Sequence, residues 1–166
     1  SNIAHLKDYL SYRIAGPVAG PLAFGEGRGP GRMLETTEII EEIGRVLATP
    51  SPLEGKHFLV TTGPTREPID PVRYVGNRSS GRMGIAIAKA AWRRGAEVTV
   101  VSGPVHLEDP YGSKVIRVET AQEMFHEVSE VLPEIDLAIF TSAVSDFRPI
   151  NTSKDKIKRS DVGTDM

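Results

Sequence analysis

The chain has 166 residues, enough for about one domain, or one domain and part of another. Its composition, 39% hydrophobic and 25% charged, is ordinary for a globular protein, and no apolar run approaches the roughly 18 residues of a membrane span. A formal net charge of -2 gives no global field that attracts nucleic acid or an anionic membrane, so we expect neither as a partner. The sequence contains no cysteine, which excludes disulfides and thiol nucleophiles, and a cytoplasmic location is the default expectation.

The first 50 residues are predicted to form a Gly/Pro-rich segment followed by a helix. A short helical start, AHLKDYL, precedes GPVAGPLAFGEGRGPGRM, which shows little periodicity. Thr36 or Thr37 is placed to cap the next helix. The apolar residues of that helix fall on one face: Ile39, Ile40, Ile43, Val46 and Leu47. ATPSPLEGK then breaks the chain with two prolines and a glycine, which indicates a domain boundary near residue 50.

From Lys56 onward, predicted strands alternate with predicted helices. The strands are HFLVTT, AEVTVVSG, KVIRVE and DLAIFTSA. With helices between them and short connections, this order predicts an α/β fold, a Rossmann-like parallel sheet with covering helices.

Two helices are predicted within this alternation. MGIAIAKAAWRR has Ser79 or Ser80 as its cap and Gly95 as its left-handed stop, and Gly84 allows tight packing on the sheet. TAQEMFHEVSEVL begins with a capping box of Thr120 and Glu123.

GPTREPIDPVRYVGNRSSGRMG, residues 63–84, is far longer than an ordinary strand-to-helix connection. Its end opens a helix, where backbone N–H groups and serine hydroxyls favour an anion. Its four arginines outnumber Glu67 and Asp70, which suits a polyphosphate or a carboxylate. The alternative is a solvated loop whose arginines pair with its own acids. A dinucleotide is disfavoured, because the helix-proximal glycines come late and the second strand ends in VVSG without a carboxylate.

Ligands of open α/β sheets bind at the carboxyl ends of the strands, where this chain has the long loop after HFLVTT, SGPV after the second strand and SAVSDF after the fourth. The last of these and a basic segment beyond it carry further candidate ligand contacts. TSAVSDF ends a strand with small residues, against which a nucleotide could lie, and Asp146 could hold a ribose hydroxyl or Mg²⁺ on phosphate oxygens, or else cap a turn. In KDKIKR, Lys156 and Lys158 would point the same way from an extended strand and suit a triphosphate, or form a solvated face. The four histidines show no metal-ligand spacing, and Trp92 and Met83 are expected in the core.

The motifs GPTREPIDPVRYVGNRSSGRMG, GAEVTVVSGPV, TAQEM, SAVSDFRP and DKIKR together resemble phosphopantothenoylcysteine synthetase, from about Gly55 to Arg159. This ligase is in bacteria usually fused behind a flavin-dependent decarboxylase. Residues 1–50 resemble that decarboxylase's tail plus a linker helix, with Phe24 at the position of its catalytic cysteine, and residues 51–166 resemble the N-terminal part of the synthetase domain. We therefore expect the natural protein to continue beyond Met166.

The resemblance implies a ligase that joins 4′-phosphopantothenate to L-cysteine with CTP and Mg²⁺ through an acyl-cytidylate. Asn77 matches the asparagine that handles the acyl-cytidylate, Arg73 the arginine of the second half-reaction, and Lys156 the first lysine of the family's Lys-x-Lys-Lys motif, whose last position is Arg159 here. Asp146 is also the candidate magnesium ligand, with the ion bound through the triphosphate. The candidate CTP contacts are Gly63, Ser79, Ser80, Gly81, Arg82, Met83, Phe140, Thr141, Ser142, Ala143, Asp146, Lys156 and Lys158.

The resemblance also implies a homodimer formed through the region after Asp146, a larger assembly in the bifunctional protein, and FMN only in the decarboxylase domain. The competing interpretation is a nucleotide- or phosphate-binding module, or an inactive fragment of a larger flavoprotein.

Overall fold

The computed structural model describes residues 2–22, 25, 27–48 and 50–158. The chain divides into two compact units, Ser1–Ala48 and Thr49–Met166. The predicted cysteine-equivalent position, Phe24, and the last residue of the lysine motif, Arg159, lie outside the described residues.

The first unit contains two helices and a two-stranded antiparallel sheet. Helix α1 spans Asn2–Asp8, strands β1 and β2 span Val18–Pro21 and Arg28–Arg32, and helix α2 spans Thr36–Leu47. The sequence predicted the helices but not the strands, because Gly and Pro supply five of the nine strand residues and disfavour a strand by propensity.

Helix α2 differs from the prediction at its start and on its apolar face. Its N-cap is Glu35, whose backbone N–H donates to the Glu38 carboxylate at 2.8 Å, so the prediction of a threonine cap is wrong by one or two positions. The reciprocal bond from an acidic third residue decides where the helix begins. Ile40, Ile43 and Leu47 are exposed, so periodicity located an apolar face without showing what covers it.

The second unit is built on a four-stranded parallel sheet in the order β7-β6-β3-β8, which confirms the predicted Rossmann-like α/β fold. Its strands are β3 (His57–Thr62), β6 (Glu97–Ser102), β7 (Lys114–Arg117) and β8 (Leu137–Phe140). Its helices are α3 (Arg82–Arg93) and α4 (Ala121–Val131), the latter followed by a 3-10 turn at Leu132–Glu134.

The alternation of side chains along β3 sorts the core into two layers. Phe58 and Val60 pack with Trp92 of α3, which confirms that Trp92 is a core residue. Leu59, on the opposite face, packs with Met124 of α4. The helices therefore cover both faces of the sheet, which leaves its carboxyl edge for loops.

The loop between β3 and α3 contains a hairpin that the sequence did not predict. Strand β4 (Arg66–Asp70) pairs antiparallel with β5 (Arg73–Gly76). The hairpin is tied to the start of α4, since Arg66 N donates to Glu119 O at 2.7 Å and the buried Glu67 carboxylate accepts from Ala121 N at 2.8 Å. Within the described part of the chain, no helix is long and apolar enough to cross a membrane.

Candidate functional site

Three loops converge at the carboxyl edge of the parallel sheet. Gly103 N, after β6, donates to Thr62 O at 2.9 Å, and Ala143 N, after β8, donates to Gly63 O at 2.9 Å. The edge of such a sheet, beyond the carboxyl ends of its strands, is where α/β folds bind ligands. The structure thus brings together the three segments that the sequence singled out.

Helix α3 approaches this edge at close range. A Cβ at Gly84 would lie 2.5 Å from Thr62 Cβ and 2.6 Å from Thr141 Oγ1, closer than side-chain atoms pack. The predicted tight contact of Gly84 with the sheet is confirmed. Because of it, the first turn of α3 stands directly beside the ends of β3 and β8.

The prediction that Ser79 or Ser80 caps α3 is wrong. Its N-cap is Gly81, with φ of +72°, a left-handed conformation that a serine would adopt only with strain. Ser79 Oγ instead accepts from Gly81 N at 3.3 Å, and Thr62 Oγ1 donates to Gly81 O at 2.8 Å. The first turn of a helix directs N–H groups outward at a positive helix end, so this turn favours an anion.

A cavity of about 350 Å³ lies in front of this turn. Its lining includes Ser79, Ser80 and Arg82 around the start of α3, and residues 104–107, which include His106, from the loop after β6. Arg66 also lines it and lies 4.6 Å from the centroid of the Tyr74 ring, a cation–π contact. Sequence reasoning missed Tyr74 and His106; only the SGPV segment before His106 signalled that this loop faces the site.

Asn77 links the loop before α3 to the segment after β8. Its side-chain Nδ2 donates to Val144 O at 2.8 Å. An amide nitrogen carries two hydrogens, so this bond orients the side chain and leaves a second donor. Asn77, the predicted catalytic residue, and the predicted nucleotide segment are thereby neighbours.

The segment after β8 is held against β3 by hydroxyl groups. Ser142 Oγ donates to Thr61 Oγ1 at 2.9 Å, and Thr141 Oγ1 donates to Thr61 O at 2.6 Å. Both hydroxyl hydrogens are thus used within the fold. What Thr141 and Ser142 offer a nucleotide is backbone and oxygen lone pairs rather than hydroxyl protons.

Two further predicted contacts, Phe140 and Met83, are exposed. The side chain of Met83 is 63% exposed, so the expectation that it belongs to the core is wrong. Met83 is the second residue of α3 and lies on the side of the helix away from Gly84 and Ile85, which are buried. Exposure leaves both side chains accessible to a ligand.

Asp146 is exposed and its neighbours make the hydrogen bonds of the turn. Ser145 N donates to Thr65 Oγ1 at 2.8 Å, and Ser145 Oγ donates to Phe147 O at 2.8 Å. These bonds form the turn through Ser145 rather than through Asp146, which weakens the turn-cap alternative. In the part of the chain that the structure describes, no three His, Asp or Glu side chains cluster as a metal site.

Arg73 forms an ion pair with Asp70, a residue that the sequence analysis counted only as a loop acid. Asp70 Oδ2 accepts from Arg73 Nη2 at 2.5 Å and from Nε at 3.1 Å. The guanidinium, helped by backbone N–H groups and opposed by burial, holds the pKa of Asp70 well below its usual range. One arginine of the long loop therefore pairs with the loop's own acid, as the alternative interpretation expected.

Lys156 and Lys158 are both exposed, and Ile157 between them is half-buried. Residues 151–158 form bends and irregular chain, so Lys156 and Lys158 do not stand on a strand, although their exposure on either side of Ile157 fits the predicted alternation. The segment is anchored by hairpin groups instead of a neighbouring strand: Ile157 N donates to Asp70 Oδ2 at 3.1 Å and Arg73 Nη2 donates to Ile157 O at 3.1 Å.

Comparison with known proteins identifies the second unit. A family model described as the DNA/pantothenate metabolism flavoprotein C-terminal domain matches residues 53–166. The chain is 46% identical over 165 residues to the coenzyme A biosynthesis bifunctional protein CoaBC of Vibrio vulnificus, a match that covers 99% of this chain and 40% of that protein. The protein of the same name in Escherichia coli strain K12 is 44% identical over 146 residues, 88% of this chain and 36% of that one.

Among solved structures, the C-terminal domain of a coenzyme A biosynthesis bifunctional protein CoaBC is similar. It matches with a TM-score of 0.60 and 44% identity, over 65% of this chain and 57% of that one. The chain spans about 40% of the length of the curated relatives it matches.

Proposed function

The chain belongs to the family of DNA/pantothenate metabolism flavoprotein C-terminal domains, and on that premise we propose that it carries the N-terminal part of a ligase that joins 4′-phosphopantothenate to L-cysteine. The ligase acts in coenzyme A biosynthesis and activates the pantothenate carboxylate with CTP, through an acyl-cytidylate. Residues 1–50 are the tail of a decarboxylase domain and a linker helix, and FMN belongs to that other domain.

The observation that carries the proposal is the hydrogen bond from Asn77 to Val144 O. It unites the anion-favouring start of α3 with the segment after β8, where the sequence predicts the nucleotide. A reaction in which a carboxylate attacks an α-phosphate needs this arrangement, because charge neutralisation and positioning matter more there than a protein nucleophile.

Each part of the site has an assigned role. The N–H groups of α3, with Ser79, Ser80, Gly81 and Arg82, neutralise phosphate oxygens. The second amide hydrogen of Asn77 donates to the pantothenate carboxylate and to the acyl oxygen that replaces it. The remaining CTP contacts are of two kinds. Residues at the sheet edge lie beside the cytosine ring and the ribose, and two lysine ammonium groups contact the triphosphate: Gly63, Met83, Phe140, Thr141, Ser142 and Ala143 for the first kind, Lys156 and Lys158 for the second.

Magnesium would reach this site with the triphosphate. The ion keeps several waters and is usually bound by one or two carboxylates plus substrate phosphates, a demand that the exposed Asp146 carboxylate fits. Its chemistry there would be neutralisation of phosphate charge. Asp146 would hold it through one carboxylate oxygen, and the phosphates and waters would supply the other ligands.

Arg73 is assigned to the second half-reaction, attack of the cysteine amine. Nε and Nη2 are engaged by Asp70 and by Ile157 O, so the hydrogens of Nη1 are the ones that we assign to substrate. The ion pair fixes the plane of the guanidinium and therefore the direction of those donors.

We propose a cytoplasmic homodimer, with a larger assembly in the bifunctional protein. Support for the dimer comes from the region after Asp146, where Phe147 is 78% and Ile150 99% exposed. Exposed apolar side chains only three positions apart in the chain are common at interfaces between subunits.

The test is a two-stage assay on the full-length protein. We expect CTP and 4′-phosphopantothenate to release pyrophosphate before cysteine is added, and cysteine then to yield the amide with release of CMP. Failure to release pyrophosphate would overturn the ligase proposal. CTP binding without pyrophosphate release would favour the competing interpretation, a binding module without chemistry of its own.

A further inference from the structure

We propose that Asp70 is a positioning residue for the ligation: it holds the segment 152–158 on the hairpin β4–β5 and so sets where Lys156 and Lys158 stand. The inference rests on the proposed function, because the two lysines matter only if a triphosphate binds. It assigns no substrate contact to Asp70 itself.

The segment 152–158 follows strand β4 by hydrogen bonds at successive positions. Thr152 Oγ1 donates to Pro68 O at 3.0 Å, and Ser153 N donates to Ile69 O at 2.9 Å. Ile157 N then donates to the carboxylate of Asp70. The hairpin therefore acts as the surface on which this irregular segment is laid.

The Asp70 carboxylate is the most heavily used acceptor on that surface. Its side chain is fully buried and accepts from five N–H groups. Oδ1 serves Val72 N and Arg73 N, which form the hairpin turn, and Oδ2 serves the guanidinium and Ile157 N. A carboxylate offers about four lone-pair sites, so this one is saturated. One group thus connects the hairpin turn, Arg73 and the lysine segment.

Ile157 is held from both sides of its backbone. The Asp70 carboxylate accepts a hydrogen bond from Ile157 N, and Arg73 donates one to Ile157 O, so both members of the ion pair bind the same residue. The residues on either side of it are Lys156 and Lys158, both exposed. Fixing Ile157 restricts the backbone of its two neighbours. The positions of the two ammonium groups then vary only through the side-chain rotamers of Lys156 and Lys158.

This hold matters for a triphosphate because lysine is a flexible point charge. A lysine ammonium selects position poorly by itself, unlike the rigid fork of arginine. When the backbone is fixed beforehand, less freedom is lost on binding, and affinity rises. The hydrogen bond from Ile157 N to Asp70 supplies that preorganisation.

The experiment compares Asp70→Asn with Asp136→Asn in the full-length protein. Asp136 is a matched control, since its carboxylate also accepts from a backbone N–H, that of His57, and from a cation, Lys56, but at the amino end of the sheet. We expect Asp70→Asn to speed amide hydrogen exchange at Ile157 and to raise the Kd for Mg–CTP about tenfold, because the one of its lost hydrogen bonds that acts on the lysine segment is the charge-assisted bond from Ile157 N. Asp136→Asn should change neither.

A double-mutant cycle separates positioning from a general loss of structure. The variant Lys156→Ala/Lys158→Ala should weaken Mg–CTP binding, and adding Asp70→Asn to it should weaken binding little further. If Asp70→Asn has the same effect with and without the lysines, or leaves the Kd unchanged while exchange at Ile157 accelerates, the inference is overturned.

Thr152→Val provides a second route if Asp70→Asn unfolds. It is isosteric and removes only the bond to Pro68 O, so we expect the same pattern with a smaller, few-fold change. An unchanged Kd would contradict the inference. If the wild-type protein releases no pyrophosphate from CTP, the proposed function fails, and with it the role of the lysines. Amide exchange at Ile157 would still show whether Asp70 holds that residue.

Discussion

Asp70 and Arg73 form a two-point ion pair across the turn of the hairpin β4–β5, with the Asp70 side chain buried and the Arg73 side chain 43% exposed. The pair joins two residues three apart in sequence and also anchors Ile157, 87 positions beyond Asp70. Local ion pair and long-range anchor are thus the same group of atoms.

The ion pair predicts an acid-dependent loss of stability. The pKa of Asp70 lies below its usual range in the folded chain. The stabilisation that the ionised Asp70 gives is therefore fully present above the unfolded pKa, about 4, and is lost as the pH falls toward the folded pKa. We expect wild type to be more stable than Asp70→Asn at pH 7, and the difference to shrink from about pH 5 downward. Urea unfolding at a series of pH values measures it.

Asp136→Asn again serves as the comparison. Its pKa is also lowered, first by the His57 N–H and then by Lys56, but its side chain is 39% exposed. We expect Asp136→Asn also to lower the free energy of unfolding at pH 7, with a loss that depends less on pH than that of Asp70→Asn. A difference between wild type and Asp70→Asn that stays constant from pH 7 to pH 3 would show that the Asp70 charge is not what stabilises the hairpin.

Gly84→Ala tests the close contact between α3 and the sheet. In a solvated helix this change stabilises by up to about 1 kcal/mol, but here the new Cβ would meet Thr62 and Thr141. We expect a net loss of about 1–3 kcal/mol in the free energy of unfolding, as for other overpacked cores. Denaturant titration measures the change in the free energy of unfolding, and its sign decides the test. A gain in stability would mean that α3 can move away from the carboxyl edge of the sheet.

The sequence predicted the sheet of the second unit and both of its helices, because their apolar patterns have the right periods and their caps are local. Thr120 and Glu123 are three residues apart and cap α4 as expected. The hairpin was missed for the opposite reason. Pro68 interrupts β4 and Pro71 follows its end, and the bonds that hold the hairpin in place come from residue 119 and beyond.

The candidate site shows the same division. Gly63, Gly81 and Thr141 could be assigned to one edge because parallel strands end together. No spacing rule connects Asp70 with Ile157, or Asn77 with Val144, since those contacts depend on how a long loop folds back. The exposed apolar face of α2 is a related case, because periodicity predicts a face and not its partner.

Thr120→Ala tests the cap of α4. Thr120 Oγ1 accepts from Glu123 N at 3.1 Å, and the Glu123 carboxylate accepts from Thr120 N at 3.1 Å. Loss of the hydroxyl should cost about 1 kcal/mol of stability, while Thr120→Ser, which keeps it, should cost a few tenths. Thermal unfolding of both variants provides the measurement; equal losses would mean that the methyl group, and not the cap, stabilises the helix.

Asn77→Asp is the sharpest test of the site itself. The side chain keeps its shape but cannot donate to Val144 O, and its negative charge would face a substrate carboxylate and phosphates. We expect cysteine ligation to fall about a hundredfold, the typical cost of removing a donor to a developing oxyanion. Stopped assays that follow pyrophosphate and the amide product separately show which half-reaction is lost. Asn2→Asp makes the same charge change in the first unit and should leave both steps unchanged. An Asn77→Asp protein that folds normally and ligates cysteine at the wild-type rate would remove Asn77 from the catalytic machinery.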